Sequence, residues 1–319
     1  MKNSLIAIAL PVSAALALAG CSSPTPTEST PTSTESSSGT GVIKVVATTS
    51  VWASIVEFVG GDAVEVTAII SDPSQDPHSY EASARDQLAV SDAELVVING
   101  GGYDDFMLQL VQAAPDTKLV LEAVEGGESH SEGDDHAEED HSHEENEHVW
   151  YDFDVVSDFA VRLADVLTEL RPEALDAVSG HFAEFEAELE VLSLRRDALR
   201  DRALGLGVMQ TAPLASLLLE DAGFVDLTPV DLLSAVEEER EVPPLVMSEA
   251  EQLLGSGDIA LLAVNEQLID PQSEQLVAWA QASGVAVVYF SELIPDPANQ
   301  DYLDWMHAIM DELQEKIYG

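Results

Sequence analysis

The chemistry available to this chain is mostly that of imidazole and carboxylate. Five of its eight histidines, His130, His136, His141, His143 and His148, fall between residues 130 and 148. The stretch 126–147 adds ten acidic residues and no base. Both side-chain types are ligands for borderline divalent metals, and a flexible run of the two gives many weak, exchangeable sites. A merely solvated acidic loop would explain the acids alone, but not histidines set among them at spacings of two, five and six. His78 stands apart, in Asp76-Pro77-His78-Ser79-Tyr80-Glu81, and His148 closes the loop in Glu147-His148-Val149-Trp150-Tyr151-Asp152, where aromatic residues mark the return of the chain to the fold. Glu292 follows an apolar run, in Ser291-Glu292-Leu293-Ile294-Pro295. His78, His148 and Glu292 are therefore three candidate ligands. The only cysteine is Cys21, which excludes an intrachain disulfide and a cysteine-built zinc site.

Other chemistries fit less well. Gly100-Gly101-Gly102 has the look of a phosphate cradle, but Asp104 and Asp105 follow and no lysine is near, so a tight turn is the better reading. His181 and His307 lie on helical stretches and read as packing or surface residues. There is no nucleophile elbow and no HExxH pair. A metallohydrolase, with water on three protein ligands, is the enzyme alternative; it needs a general base beside that water, and the sequence does not identify one. The balance of 60 acidic against 12 basic residues, net −48, argues against nucleic acid as a partner. The 46% hydrophobic content is that of packed domains carrying an acidic surface.

The elements that must position these residues alternate in type. Short β-branched runs at 42–48, 64–70, 95–98 and 118–121 alternate with helical stretches such as 52–59 and 83–89, which is the order of a parallel sheet flanked by helices. A second set, at 207–210, 259–264 and 285–290, is separated by helical 213–221, 248–254 and 273–282. The fold class is thus α/β, with two lobes. In open sheets of this kind ligands bind beyond the carboxyl ends of the strands, where the loop bearing His78 lies. Between the lobes, after Arg171-Pro172, apolar residues recur at Leu175, Val178, Phe182, Phe185, Leu189, Leu192 and Leu199, the period of one long helix. A dimerising coiled coil is the alternative, against which Arg196 in the apolar seam counts. The expected organisation is a first lobe over 42–170 carrying the His/acid loop 126–147, a linking helix over 171–203 and a second lobe over 204–319.

The first residues read differently. Lys2 followed by an apolar run from Leu5 to Ala19 has the form of a secretory signal, 1–20, too short to span a bilayer. Leu18-Ala19-Gly20-Cys21 looks like a bacterial lipobox, in which Cys21 becomes the lipidated first residue of the mature protein. Residues 21–41, rich in Ser, Thr, Pro and Glu, read as a solvated tether.

From Val42 to the C-terminus the chain resembles the solute-binding lipoproteins of zinc and manganese ABC importers, the ZnuA/TroA type. The resemblance rests on Asp76–Glu81, on Asn99-Gly100-Gly101-Gly102-Tyr103-Asp104-Asp105, on the His-rich insertion, on His148-Val149-Trp150, on Asn265-Glu266-Gln267 and on Tyr302-Leu303-Asp304-Trp305-Met306. It implies two α/β lobes bridged by a long helix, one metal ion in the cleft, and no catalysis. It implies His78 and His148 as the two first-lobe histidine ligands and Glu292 as the last, carboxylate ligand. The third family ligand, a His or Glu, is missing: that stretch is Gln210-Thr211-Ala212-Pro213, with Ala212 where the ligand is expected. Glu266, at the end of its own strand, is a possible fourth ligand, with His130, His136, His141 and His143 as weak loop sites. The implied cargo is zinc, with manganese or iron as the alternative. The implied partners are an ABC permease and its ATPase, served by a monomer anchored through Cys21 to the extracytoplasmic face of a bacterial membrane. A metal-buffering or adhesive surface lipoprotein without a transporter is the reading from another class. Since histidine must be neutral to bind metal, affinity is expected to fall as pH drops through about 6.5.

The anchor has a direct test. Cys21→Ala leaves a folded protein that no longer sediments with membranes on cell fractionation, because the tether adds nothing to the core; identical distribution of variant and wild type would show the lipobox reading to be wrong.

Overall fold

The computed structural model describes residues 41–124, 146–238 and 240–318. The signal, Cys21, the tether up to residue 40 and the four loop histidines His130, His136, His141 and His143 lie outside the described residues.

The first lobe runs β1 (Ile43–Thr49), α1 (Ser50–Gly60), β2 (Val64–Ile70), α2 (Ala84–Asp92), β3 (Leu95–Gly100), α3 (Asp105–Ala113), β4 (Leu119–Val124) and α4 (Phe153–Leu170). The long α5 (Leu175–Ala203) leads into the second lobe: β5 (Gly207–Gln210), α6 (Ser216–Asp221), β6 (Val225–Asp226), α7 (Val230–Glu237), α8 (Pro244–Leu254), β7 (Ile259–Asn265), α9 (Pro271–Ser283), β8 (Ala286–Phe290) and α10 (Tyr302–Tyr318). Both sheets are wholly parallel, in the orders β2-β1-β3-β4 and β6-β5-β7-β8. Each order reverses direction between its two central strands, and such a switch point opens a crevice beyond the strands' carboxyl ends. Covered strands must be apolar throughout: every residue of β3 is buried, and so are six of seven in β1. No helix among the described residues is long and apolar enough to cross a membrane.

The linking element is a 29-residue helix preceded by a turn of 3₁₀ helix over Pro172–Ala174, where proline suits a first turn. At 1.5 Å per residue α5 is about 44 Å long. Its periodic residues Val178, Phe185, Leu189, Leu192 and Leu199 are buried in a core cluster that takes in Trp52 and Phe159 of the first lobe and Leu218, Phe290 and Trp305 of the second. Phe185 is central to this seam, its ring 5.5 Å from Phe58 of α1 and 6.3 Å from Tyr302 of α10. Arg196, which interrupts the seam, turns to Asp221 of α6 at 3.0 Å. One continuous core therefore spans both lobes, and their relative movement must disturb it.

The turn after β3 prepares the site. Gly100, Gly101 and Gly102 all have positive φ (80°, 65° and 96°), and a Cβ at Gly100 would lie 2.4 Å from the Val124 carbonyl oxygen. No phosphate cradle is built here. Instead the buried Asp104 carboxylate accepts hydrogen bonds from Thr48 Oγ1 (2.6 Å), Asn99 N (2.6 Å) and Gly100 N (3.0 Å), closing the turn and presenting Tyr103. Asp104→Ala leaves three buried donors without their acceptor and lowers unfolding free energy by about 2–4 kcal/mol in a denaturant titration. A change below about 0.5 kcal/mol, the size of an ordinary surface substitution, would show that the turn does not depend on it.

Candidate metal centre

The loops beyond β2, β3, β7 and β8 and the returning segment 146–151 meet in one place. His78 sits in the loop after β2. Tyr80 pins that loop to the N-terminus of α2 by donating to Asp86 (2.8 Å), whose carboxylate also accepts from Ser83 N and Oγ in a capping box. His148 precedes a 3₁₀ turn, Val149–Tyr151, whose aromatic residues are buried. Trp150 packs edge-on against both His148 (5.4 Å) and Tyr103 (5.2 Å). Glu292 follows β8 and is only 1% exposed. Tyr151 ties this acid's neighbour to the first lobe, donating to the Ser291 carbonyl at 2.8 Å.

The structure sets His78 against both Glu292 and His148, although Glu292 stands outside the group of ligating atoms that lie within 4.8 Å of one another. His78 Nε2 lies 3.2 Å from Glu292 Oε2, and the two imidazole rings are 5.8 Å apart, edge to face. Tyr103 donates to Glu292 Oε2 (3.2 Å) and Asn265 Nδ2 donates to Oε1 (3.1 Å), while the Glu292 amide donates to Gln267 Oε1 (2.6 Å). His148 is held by its own neighbour: both its backbone N–H and Nδ1 lie 2.9 Å from Asn146 Oδ1. That acceptor fixes the proton on Nδ1 and leaves the Nε2 lone pair available for a ligand.

The structure does not bring in Glu266. It is exposed at the start of a 3₁₀ turn after β7, because the preceding Asn265 takes the inward direction and bonds to both Glu292 and the Gln267 amide. Ala212 is buried and its side chain carries no ligating atom. Glu147, counted in sequence only among the acids of the loop, lies beside His78, with Oε1 at 3.6 Å from Nδ1. One ligating atom each from His78, Glu147 and His148 lie within 4.8 Å of one another, the single such group of three among the described residues. Tyr103, Asn146 and Asn265 are the supporting residues that ligand chemistry alone does not select. Their signal in sequence was adjacency, since each stands in or next to a motif already singled out.

Charge sets the resting state. Burial depresses the His78 imidazole, but the hydrogen bond and charge of Glu292, then the charges of Glu147 and Asp76, outweigh it and raise its pKa to about 9. Burial lowers His148 to about 4, an effect that Glu292 opposes and the neighbouring His78 reinforces. Burial pushes the Glu292 carboxyl up, yet the hydrogen bond and charge of His78, with His148 and Asn265, hold it below the ordinary value. Burial and then Glu292 keep Tyr103 a neutral donor. Near neutral pH the ion-free cleft therefore holds an imidazolium–carboxylate pair beside a neutral imidazole.

A family model described as "Zinc-uptake complex component A periplasmic" matches residues 45–316. A manganese-binding lipoprotein, MntA, of Halalkalibacterium halodurans is 28% identical over 165 residues, 50% of this chain and 49% of that protein. A manganese ABC transporter substrate-binding lipoprotein, PsaA, of Streptococcus pneumoniae is 29% identical over 157 residues, 47% and 49% respectively. The chain spans about half the length of the curated relatives it matches. Among solved structures, a crystal structure of ZnuA superposes with a TM-score of 0.69 at 20% identity, over 87% of this chain and 99% of that one. The laminin-binding protein Lmb of Streptococcus agalactiae superposes with a TM-score of 0.68 at 20% identity, over 86% and 99%. At these identities the structures speak for the fold alone.

The charge state moves the pH window that ordinary histidine values suggest. An ion that takes a His78 nitrogen must first displace its proton, and that proton is held up to about pH 9 rather than about 6.5. Lowering the pH below about 9 therefore weakens zinc binding by up to about tenfold per unit. At pH 7.5 binding releases about one proton per ion, read by calorimetry in buffers of different ionisation heat. Release near zero would mean that His78 is not displaced from its protonated state.

Proposed function

The chain belongs to the family of the periplasmic zinc-uptake complex component A, and from that premise we propose that it captures a divalent transition-metal ion, zinc foremost, in the cleft between its lobes and hands it to a membrane permease. The family consists of metal-binding substrate receptors of ABC transporters, which bind and do not catalyse. Its members work with a permease and an ATPase. In this chain the lipid on Cys21 would hold the receptor at the extracytoplasmic membrane face, in keeping with the lipoprotein names of its relatives.

The observation that carries the proposal is the convergence of His78, His148 and Glu292, drawn from three loops, around a carboxylate closed off from solvent. Burying that charge costs several kcal/mol unless a counter-charge meets it. In the ion-free protein the counter-charge is the His78 proton; in the loaded protein the metal takes its place. Two imidazoles and a carboxylate suit zinc, which accepts nitrogen and oxygen and tolerates an open position, whereas magnesium and calcium prefer oxygen throughout. Manganese is the second reading, favoured by the names of the sequence relatives. His130, His136, His141 and His143 would serve as weak collecting sites, since a loop that must order itself around each ion binds less tightly than a preformed cleft.

Metal analysis by mass spectrometry and calorimetric titration of the purified chain with zinc and with manganese test this. One tight zinc event per chain is expected, lost by at least about 100-fold in His78→Ala, since the ion is left with too few protein ligands. Unchanged tight binding in His78→Ala would remove the cleft from consideration.

A further inference from the structure

The cleft as described leaves the ion one protein ligand short. Three groups, His78, His148 and Glu292, converge, and the position after β5 from which the third family ligand would come holds Ala212, whose methyl group offers no lone pair. Glu266 faces solvent. We propose that Glu147 supplies the missing ligand, so that the first lobe itself replaces the donor the second lobe has lost; this rests on the metal-receptor reading of the same cleft.

Three observations carry it. First, a carboxylate oxygen of Glu147 lies within 4.8 Å of a ligating nitrogen of His78 and also of one on His148. Glu147 Oε1 approaches Nδ1 of His78 at 3.6 Å while Glu292 Oε2 approaches Nε2 at 3.2 Å, so the imidazole must turn for one of its nitrogens to share an ion with both carboxylates. Ligand atoms on a tetrahedral zinc ion stand about 3.4 Å apart, given bond lengths of about 2.1 Å, so closing His78, Glu147 and His148 around an ion needs a movement of about 1 Å, and Glu292, which stands outside that group, must close on it as well. The Glu147 side chain is 29% exposed. Secondly, its backbone is fixed where the ligand is needed. The Glu147 carbonyl accepts from Asn99 Nδ2 (2.8 Å), and Asn146 Nδ2 donates to the Pro213 carbonyl (2.8 Å), one residue beyond Ala212. The segment that carries Glu147 and His148 is thus clamped to the very turn that lacks a donor. Thirdly, the charges close. Two carboxylates, two neutral imidazoles and a divalent ion sum to zero, so the buried Glu292 is left with no uncompensated charge. The resulting set of two nitrogen and two oxygen donors is harder than one built on three histidines and brings manganese closer to zinc in preference.

Zinc titration and the visible spectrum of the cobalt-loaded protein decide between ligation and a merely supporting role, using wild type, Glu147→Gln and His78→Ala. Glutamine keeps an acceptor for the His78 ring but loses the charged ligand. The expected result for Glu147→Gln is a loss of zinc affinity of at least about 100-fold, beyond the usual cost of an outer partner, with a changed cobalt spectrum. Affinity within about threefold of wild type, or a weaker site with the cobalt spectrum unchanged, overturns ligation by Glu147. Tight binding kept in His78→Ala would instead defeat the reading of the cleft itself, whatever Glu147→Gln does.

Discussion

The arrangement turns on one buried negative charge. Glu292 is almost wholly removed from solvent, and a carboxylate in that position is tolerated only where hydrogen bonds and a positive charge meet it. Tyr103 and Asn265 supply the hydrogen bonds, one to each oxygen, and together they span both lobes. The positive charge is the variable part. His78 provides it as an imidazolium when no ion is present, which is why its proton is held far more firmly than an ordinary histidine's. An ion of charge two can take over that role while accepting the imidazole lone pair that the proton had occupied. On the proposed reading proton and metal are alternative occupants of one electrostatic position, and the cleft is never required to bury Glu292 unpaired.

The rest of the fold keeps that pair from dissolving. Both lobes present their switch points to the cleft, so that loops from four strand ends can each contribute one group while the sheets stay apolar. The α5 spine and the shared core make the lobes' separation a matter of a continuous packed seam, through Phe58, Phe185 and Tyr302, and not of a slack linker. Tyr302 also donates to the Trp150 carbonyl and Tyr151 to that of Ser291, so the aromatic block beneath His148 is bonded to the second lobe. The overall charge of −48 adds a long-range effect: a strongly negative chain concentrates cations around itself and does so less as salt is raised.

Much of this was legible in sequence because it rests on period and on residue type. The continuous apolar runs gave seven of the eight strands within a residue or two at most ends, and the three-and-four spacing from Leu175 gave the spine. Helix α4 has the same spacing at Val156, Phe159, Leu163 and Leu167 and was legible in principle, whereas β6, two residues long, has no period to read. His78, His148 and Glu292 were recognisable as ligand types after strand ends or at a loop's return. What sequence could not show was direction. Asn265 turns inward and sends Glu266 out, and Glu147, one acid among ten in its stretch, turns toward His78 because Asn146 and Asn99 fix its backbone. Such outcomes depend on hydrogen bonds between residues far apart in the chain, and spacing carries no trace of them.

The central claim is that a single ion replaces the His78 proton beside Glu292. A crystal structure of the zinc-loaded chain, with anomalous difference density collected on either side of the zinc absorption edge, tests it most directly. The account predicts one strong peak in the cleft, about 2.0–2.2 Å from a nitrogen of His78, from Nε2 of His148 and from an oxygen of Glu292. A zinc peak bound elsewhere, with His78 still paired to Glu292 at 3.2 Å, would contradict it.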